Sequence, residues 1–165
     1  MSGLENALKN AGDAERKLII TDGVFSMDGD IAPLDEIVEL AEEHDAMVMV
    51  DDCHGEGVLG EGKGIVAHFD LQGRVTVEGG SYSKALGVQG GIIAGSEDLR
   101  NHALNHSRSW LLSGSQPPGV AAAQKASIEV LRDEPHHVQK LWENTEYFRK
   151  ELNSCLLYTS DAADE

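Results

Sequence analysis

A single lysine, Lys84, stands in the run V-E-G-G-S-Y-S-K-A-L-G-V-Q-G-G (77–91), between small hydroxyl residues and glycines. Glycine lets a ligand approach the main chain closely and accepts positive φ. A lysine held there, behind an apolar strand, is expected to be desolvated, which would lower its pKa and make it a Schiff-base nucleophile. A Schiff base to an aromatic aldehyde cofactor also needs a carboxylate to keep a pyridine nitrogen protonated, and donors for a ring oxygen and a phosphate. Asp51, at the end of the apolar run 46–50, is a candidate for the carboxylate, because a buried carboxylate is costly unless paired. His54 lies on the same turn, and Ser81 and Ser83 are candidate phosphate donors. Taken singly, each has a plainer reading: a solvated loop lysine, a capping aspartate, a hydrogen-bonded loop histidine, turn serines. Asp52, Cys53, His54 and Glu56 offer metal-ligating atoms, but no second ligand group stands at a recognised spacing, so no metal centre is expected.

The elements that must position these residues follow from periodicity. Residues 4–16 read as a polar helix with Leu4, Ala7, Leu8 and Ala11 on one stripe, and 17–25 as a buried strand. Pro33 suits the first position of a helix whose buried face is Leu34, Ile37, Val38, Leu40 and Ala41. The run 46–50 reads as a central parallel strand covered on both faces. A glycine-rich loop (55–64) leads to a third strand at 75–77 and a fourth at 91–94. The link between those two is too short for a helical crossover, so the fourth strand should run antiparallel. A polar helix (97–107), a loop (109–115), an Ala-rich helix from Pro117-Pro118 to about Leu131 and a last amphipathic helix complete the pattern. This order predicts an α/β fold with a mostly parallel sheet, one antiparallel strand and helices on both faces. Ligands gather at the carboxyl ends of strands in such sheets. Ser26, Asp51, His54 and the 81–84 turn all fall just past such ends.

Composition narrows the function. The 165 residues carry 29 acidic against 13 basic side chains, a net charge of −16, so nucleic acid and anionic membranes should repel the chain. No apolar run is long enough to cross a bilayer, and no signal-peptide core opens the sequence, which makes the cytoplasm the default. The two cysteines, Cys53 and Cys155, imply no disulfide framework. The segment 154–165 fits neither helix nor strand and reads as a tail.

Four runs together carry a resemblance: T-D-G-V-F-S-M-D-G-D-I-A-P-L (21–34), M-V-D-D-C-H-G-E-G-V-L-G (49–60), G-G-S-Y-S-K-A-L-G (79–87) and S-G-S-Q-P-P (113–118). They resemble the α-oxoamine synthases, fold-type I enzymes that use pyridoxal phosphate (PLP). The resemblance implies a C-acyltransferase joining a small amino acid, glycine by expectation, to an acyl-CoA. It implies that Lys84 holds the cofactor and moves the Cα proton, that Asp51 binds the pyridine nitrogen, and that His54 and Ser26 bind the ring 3-oxygen. Ser81 would bind phosphate, and Ser115 belongs to a segment that reaches the neighbouring subunit's cofactor in the family homodimer. Ser83 stands where the family mostly has glycine, and Cys53 where it has serine or alanine. On this reading residues 1–132 are the central part of the PLP-binding large domain and 133–153 a helix leading toward a further domain. Family members are much longer, so the chain reads as the middle of a gene and is expected to be inactive alone. An aminotransferase or lyase of the same fold, or a non-catalytic fragment, are the alternatives.

Overall fold

The computed structural model describes residues 1–155; the expected tail therefore falls mostly outside the described residues. Its elements in chain order are α1 (Ser2–Ala11), β1 (Leu18–Asp22), α2 (Leu34–Glu43), β2 (Met47–Asp51), α3 (Ile65–His68), β3 (Val77–Ser81), β4 (Gly91–Gly95), α4 (Glu97–His106), α5 (Arg108–Leu111), α6 (Pro118–Asp133) and α7 (His136–Ser154). The sheet order is β1-β2-β3-β4, with the first two pairings parallel and the last antiparallel. The turn from Tyr82 to Gly90 is too short to cross the sheet, so β4 returns beside β3 as the sequence predicts.

Alternation along the strands sets the core. Ile19, Val48 and Val50 are buried and face Leu34, Ile37, Val38 and Ala41 of α2, with Leu59, Ile65, Val66 and Leu71 completing the cluster. Each such side chain contributes about 1.5–3 kcal/mol when fully buried. The register pairs Leu18 with Met47 and Ile20 with Met49 on the opposite face. There Leu18 and Ile20 of β1 are 50% and 67% exposed and Met47 of β2 is 39% exposed, so the expected cover on both faces of β2 is incomplete. Near β4 that second face does meet helices: Met49 and Ile93 line a hollow with Leu99 and Ala103 of α4 and Trp110 of α5.

Several boundaries differ from expectation for local reasons. α1 stops at Ala11 because Gly12 turns to φ 52°. β1 ends at Asp22, where Gly23 donates its N–H to the Asp51 carbonyl at 2.8 Å. Pro33 caps α2 instead of opening it. β3 starts at Val77, not Val75, and runs through Gly79, paired on both sides, and Gly80, paired with Ile92 of β4 alone. The glycine-rich loop contains a 3₁₀ turn (Gly60–Gly62) and leads into α3, and α5 occupies part of the expected 109–115 loop.

Candidate active site

The carboxyl ends of β1, β2 and β3 lie side by side, with Asp22, Asp51 and Gly79 in register. The chain leaving β2 makes a tight turn: Asp51 Oδ1 accepts from the Cys53 N–H at 3.0 Å, while Gly55 and Glu56 donate their N–H groups to the Asp52 carbonyl at 3.0 Å. This turn presents Cys53 and His54, both half-buried, toward the turn that follows β3. From there Lys84 reaches across, and its Nζ donates to Cys53 Sγ at 3.0 Å. Lys84, Cys53 and His54 line an open hollow of about 680 Å³ whose far wall is apolar, with Val130 and Leu131 of α6 and Val138 and Leu141 of α7. Asp51 opens onto the neighbouring hollow between the sheet, α4 and α5, of about 860 Å³. The Cys53 N–H, bonded to Asp51 Oδ1, is what links the residues of the first hollow to Asp51.

Lys84 is not desolvated as the sequence argument expected. Its side chain is exposed, and its pKa is raised by the hydrogen bond to Cys53, then by the charges of Asp51 and Glu56. A cation ringed by acids keeps its proton. Burial pushes the Cys53 thiol up, against the hydrogen bond from Lys84.

Ser81 and Ser83 are joined hydroxyl to hydroxyl at 2.7 Å, and Ser83 donates its N–H to Ser81 Oγ at 3.2 Å. The Ser81 N–H in turn donates to Glu56 Oε1 at 2.7 Å. Glu56 therefore ties the β2 turn to the β3 turn. Burial raises its pKa, and so does the charge of Asp51. Sequence reasoning offered Glu56 only as a metal ligand; its distance in sequence from Ser81 gave no sign of the bond.

Asp52, likewise marked in the sequence only as a possible metal ligand, is a buried acid. It is 1% exposed, accepts from the Ile65 N–H at 2.8 Å through Oδ2, and its Oδ1 has no hydrogen-bond partner among the described residues. Burial, followed by the charges of Glu78, Glu56 and Asp51, pushes it up to about 7, against the Ile65 hydrogen bond. Gly23, Gly55 and Gly64 close around its carboxyl group, and a Cβ at Gly55 or Gly64 would press directly into it. The three glycines leave the space that the buried acid fills.

Ser26 and Ser115 line neither of the two hollows. Ser26 is exposed in the turn closed by the Phe25 N–H to Asp30 carbonyl bond, and Ser115 lies in an exposed loop at φ 71° with its N–H on Ser113 Oγ. Among the described residues neither is hydrogen-bonded to Lys84 or Asp51. Glu134, His136 and His137 come within 4.8 Å of one another at the start of α7, all exposed, a grouping the sequence reading did not single out.

Comparison with known proteins adds the following. The family model for aminotransferase class I and II matches residues 1–162. An 8-amino-7-oxononanoate synthase of Thermosipho melanesiensis is 55% identical over 160 residues, covering 96% of this chain and 41% of that protein. An 8-amino-7-oxononanoate synthase of Bacillus subtilis is 54% identical over 153 residues, covering 92% and 39%. The chain thus spans about two fifths of the length of the curated relatives it matches. Among solved structures, a serine palmitoyltransferase from S. paucimobilis with bound PLP and myriocin superposes with a TM-score of 0.85 at 32% identity, over 92% of this chain and 38% of that one.

Proposed function

The chain belongs to the class I and II aminotransferase family and, within it, to the α-oxoamine synthases, and from that premise we propose that the whole protein is a PLP-dependent acyltransferase. It would join a small amino acid to an acyl-CoA. The observation that carries this reading is the turn at the end of β2. It holds the Asp51 carboxylate and, through Cys53, the Lys84 amine at one end of the sheet.

The residues present fit the cofactor. Its aldehyde needs an amine, its pyridine nitrogen a carboxylate, and its phosphate hydrogen-bond donors. Asp51 Oδ1 is held by the Cys53 N–H, while among the described residues Oδ2 accepts no hydrogen bond and is open to a ring N–H. The paired hydroxyls of Ser81 and Ser83 offer O–H donors beside Lys84. When bound, PLP supplies an electron sink for the carbon next to the substrate amine.

The protein's own work is positioning and proton transfer. Lys84 would hold the cofactor aldehyde and, once displaced by the substrate amine, take and return the proton at Cα. The hydrogen bond to Cys53, and after it the charges of Asp51 and Glu56, raise its pKa further, so its nucleophilic form would depend on losing its proton as the cofactor arrives. Asp51 would keep the ring nitrogen protonated. His54, on the same turn as Cys53, would orient the ring oxygen together with Ser26. Ser115 would act on the cofactor of a second subunit.

The relatives' name supports a choice of substrate. It describes an α-amino ketone whose amine-bearing carbon carries a methyl group, the skeleton obtained by acylating alanine at Cα with loss of carbon dioxide. Glycine, the expectation from sequence, would leave that carbon without the methyl. We therefore take alanine as the amino acid and a long acyl-CoA ending in a carboxylate as its partner.

The test uses the full-length protein. Added PLP should give a visible absorption band that Lys84→Ala loses, and alanine plus acyl-CoA should release free CoA faster than glycine plus acyl-CoA. A protein that forms no band, or that yields a keto acid without CoA release, overturns the reading.

A further inference from the structure

We propose that Cys53 and Lys84 form a reversible covalent S–N link under peroxide, a redox lock on the cofactor-free site. The proposal rests on Lys84 being the cofactor-holding lysine. Its basis is the contact itself: Nζ and Sγ are 3.0 Å apart, on turns whose main chains are fixed by the Cys53–Asp51 and Ser81–Glu56 hydrogen bonds. Both side chains line the same open hollow, with Val58 and Ala85 beside them, so a small neutral oxidant has access to the sulfur.

The chemistry balances with hydrogen peroxide as the oxidant. Peroxide transfers one oxygen to Cys53 Sγ, giving a sulfenic acid and one water; sulfur loses two electrons and peroxide gains them. The Lys84 ammonium gives its extra proton to solvent, and the free amine attacks the sulfur. The S–O bond breaks, the hydroxyl leaves with an amine hydrogen as a second water, and an S–N bond remains. Two thiols reverse it: one attacks the sulfur and frees the amine, the second resolves the mixed disulfide and restores the Cys53 thiol.

Burial holds the Cys53 thiol protonated, so the first oxidation is slow. The geometry accelerates the second step, because the amine already touches the sulfur and reacts intramolecularly. A bound cofactor occupies the same amine, so the lock closes only on the empty site. Cys155, which is exposed and meets Ser154 instead of a lysine, is an internal control within the same chain.

The experiment takes full-length protein stripped of cofactor, exposes it to hydrogen peroxide, blocks free thiols, digests it and reads the peptides by mass spectrometry. The expected product joins the peptides of residues 53 and 84 and is lighter than their sum by two hydrogens. PLP uptake should fall in proportion to the linked fraction and return with dithiothreitol. Protein loaded with PLP beforehand, and Cys53→Ala compared with its own untreated sample, should show neither change. Cys53 found as sulfinic or sulfonic acid with Lys84 free, or uptake unchanged after all Cys53 is oxidised, overturns the lock. Untreated protein that never takes up PLP overturns the cofactor reading instead, and the linked peptide still decides whether the S–N bond forms.

Discussion

Asp51 and Asp52 are consecutive, yet the carboxylate of one is exposed at the strand end and the other is 1% exposed behind it. The alternation of β2 sends Val48 and Val50 to the α2 side and Met49 and Asp51 to the other. Asp52, at the start of the turn, points back under α3. Two identical side chains thus receive opposite tasks from one peptide unit.

The buried acid should make stability pH-dependent. Asp52 is raised in the folded protein from 3.8 to about 7, so the folded state holds its proton more tightly than the unfolded chain. Its favourable contribution is complete below the unfolded value of 3.8 and is lost as pH rises through about 7. Asp52→Asn keeps an oxygen for the Ile65 N–H and removes the titration. Thermal unfolding of the full-length variant across this range should therefore show a flatter pH profile than the parent, whereas parallel profiles would rule Asp52 out as the titrating group.

Gly64→Ala should be among the more damaging small changes in the chain. The glycine sits at φ 95°, and a Cβ there would press into the Asp52 carboxyl group. Overpacking alone costs about 1–3 kcal/mol, and the strained backbone adds to it. Gly29→Ala, also at positive φ (78°) but with nothing within 4 Å, carries only the backbone penalty. Urea unfolding of both variants should rank Gly64→Ala as clearly the less stable.

Asp51→Asn should separate cofactor capture from catalysis. The Lys84 amine remains, so the visible band should still form, while losing the charge opposite the ring nitrogen should cost about 100- to 1000-fold in kcat, the scale of removing one preorganised electrostatic partner. Absorption and CoA-release measurements on the same sample test both halves.

Glu56→Ala should loosen the link between the two turns. The Ser81 N–H loses its acceptor, an unmet bond worth about 1–3 kcal/mol when the group stays buried. Glu56→Gln retains an acceptor oxygen. We expect PLP to dissociate more readily from Glu56→Ala than from Glu56→Gln, read by equilibrium titration; equal affinities would leave Glu56 without a role in holding the 81–84 turn.

Much of the architecture was legible in sequence because it rests on local regularities. The apolar runs of β1 and β2, the amphipathic stripe of α2 and the short link before β4 each dictate an element or a direction with no knowledge of distant contacts. The placement of Asp51 at the end of β2 and of Lys84 just past β3 was legible for the same reason, since parallel neighbouring strands end on one edge. Short helices such as α3 and α5 span barely one turn, too little for periodicity to register.

What the sequence determined by itself is the order of elements and the chemical types at the strand ends, because periodicity and chain connectivity act over a few residues. Tertiary structure alone decided that Cys53 meets Lys84 across 31 positions, that Glu56 meets Ser81 across 25, and that Asp52 disappears beneath α3 while Asp51 stays in the open. Those outcomes depend on how two turns pack against each other, and packing between segments distant in the chain leaves no period in the sequence to be read. The pKa of Lys84 follows the same logic: a lysine is raised or lowered by whichever groups the fold places around it, and here the hydrogen bond to Cys53 raises it, with the charges of Asp51 and Glu56 adding to the effect.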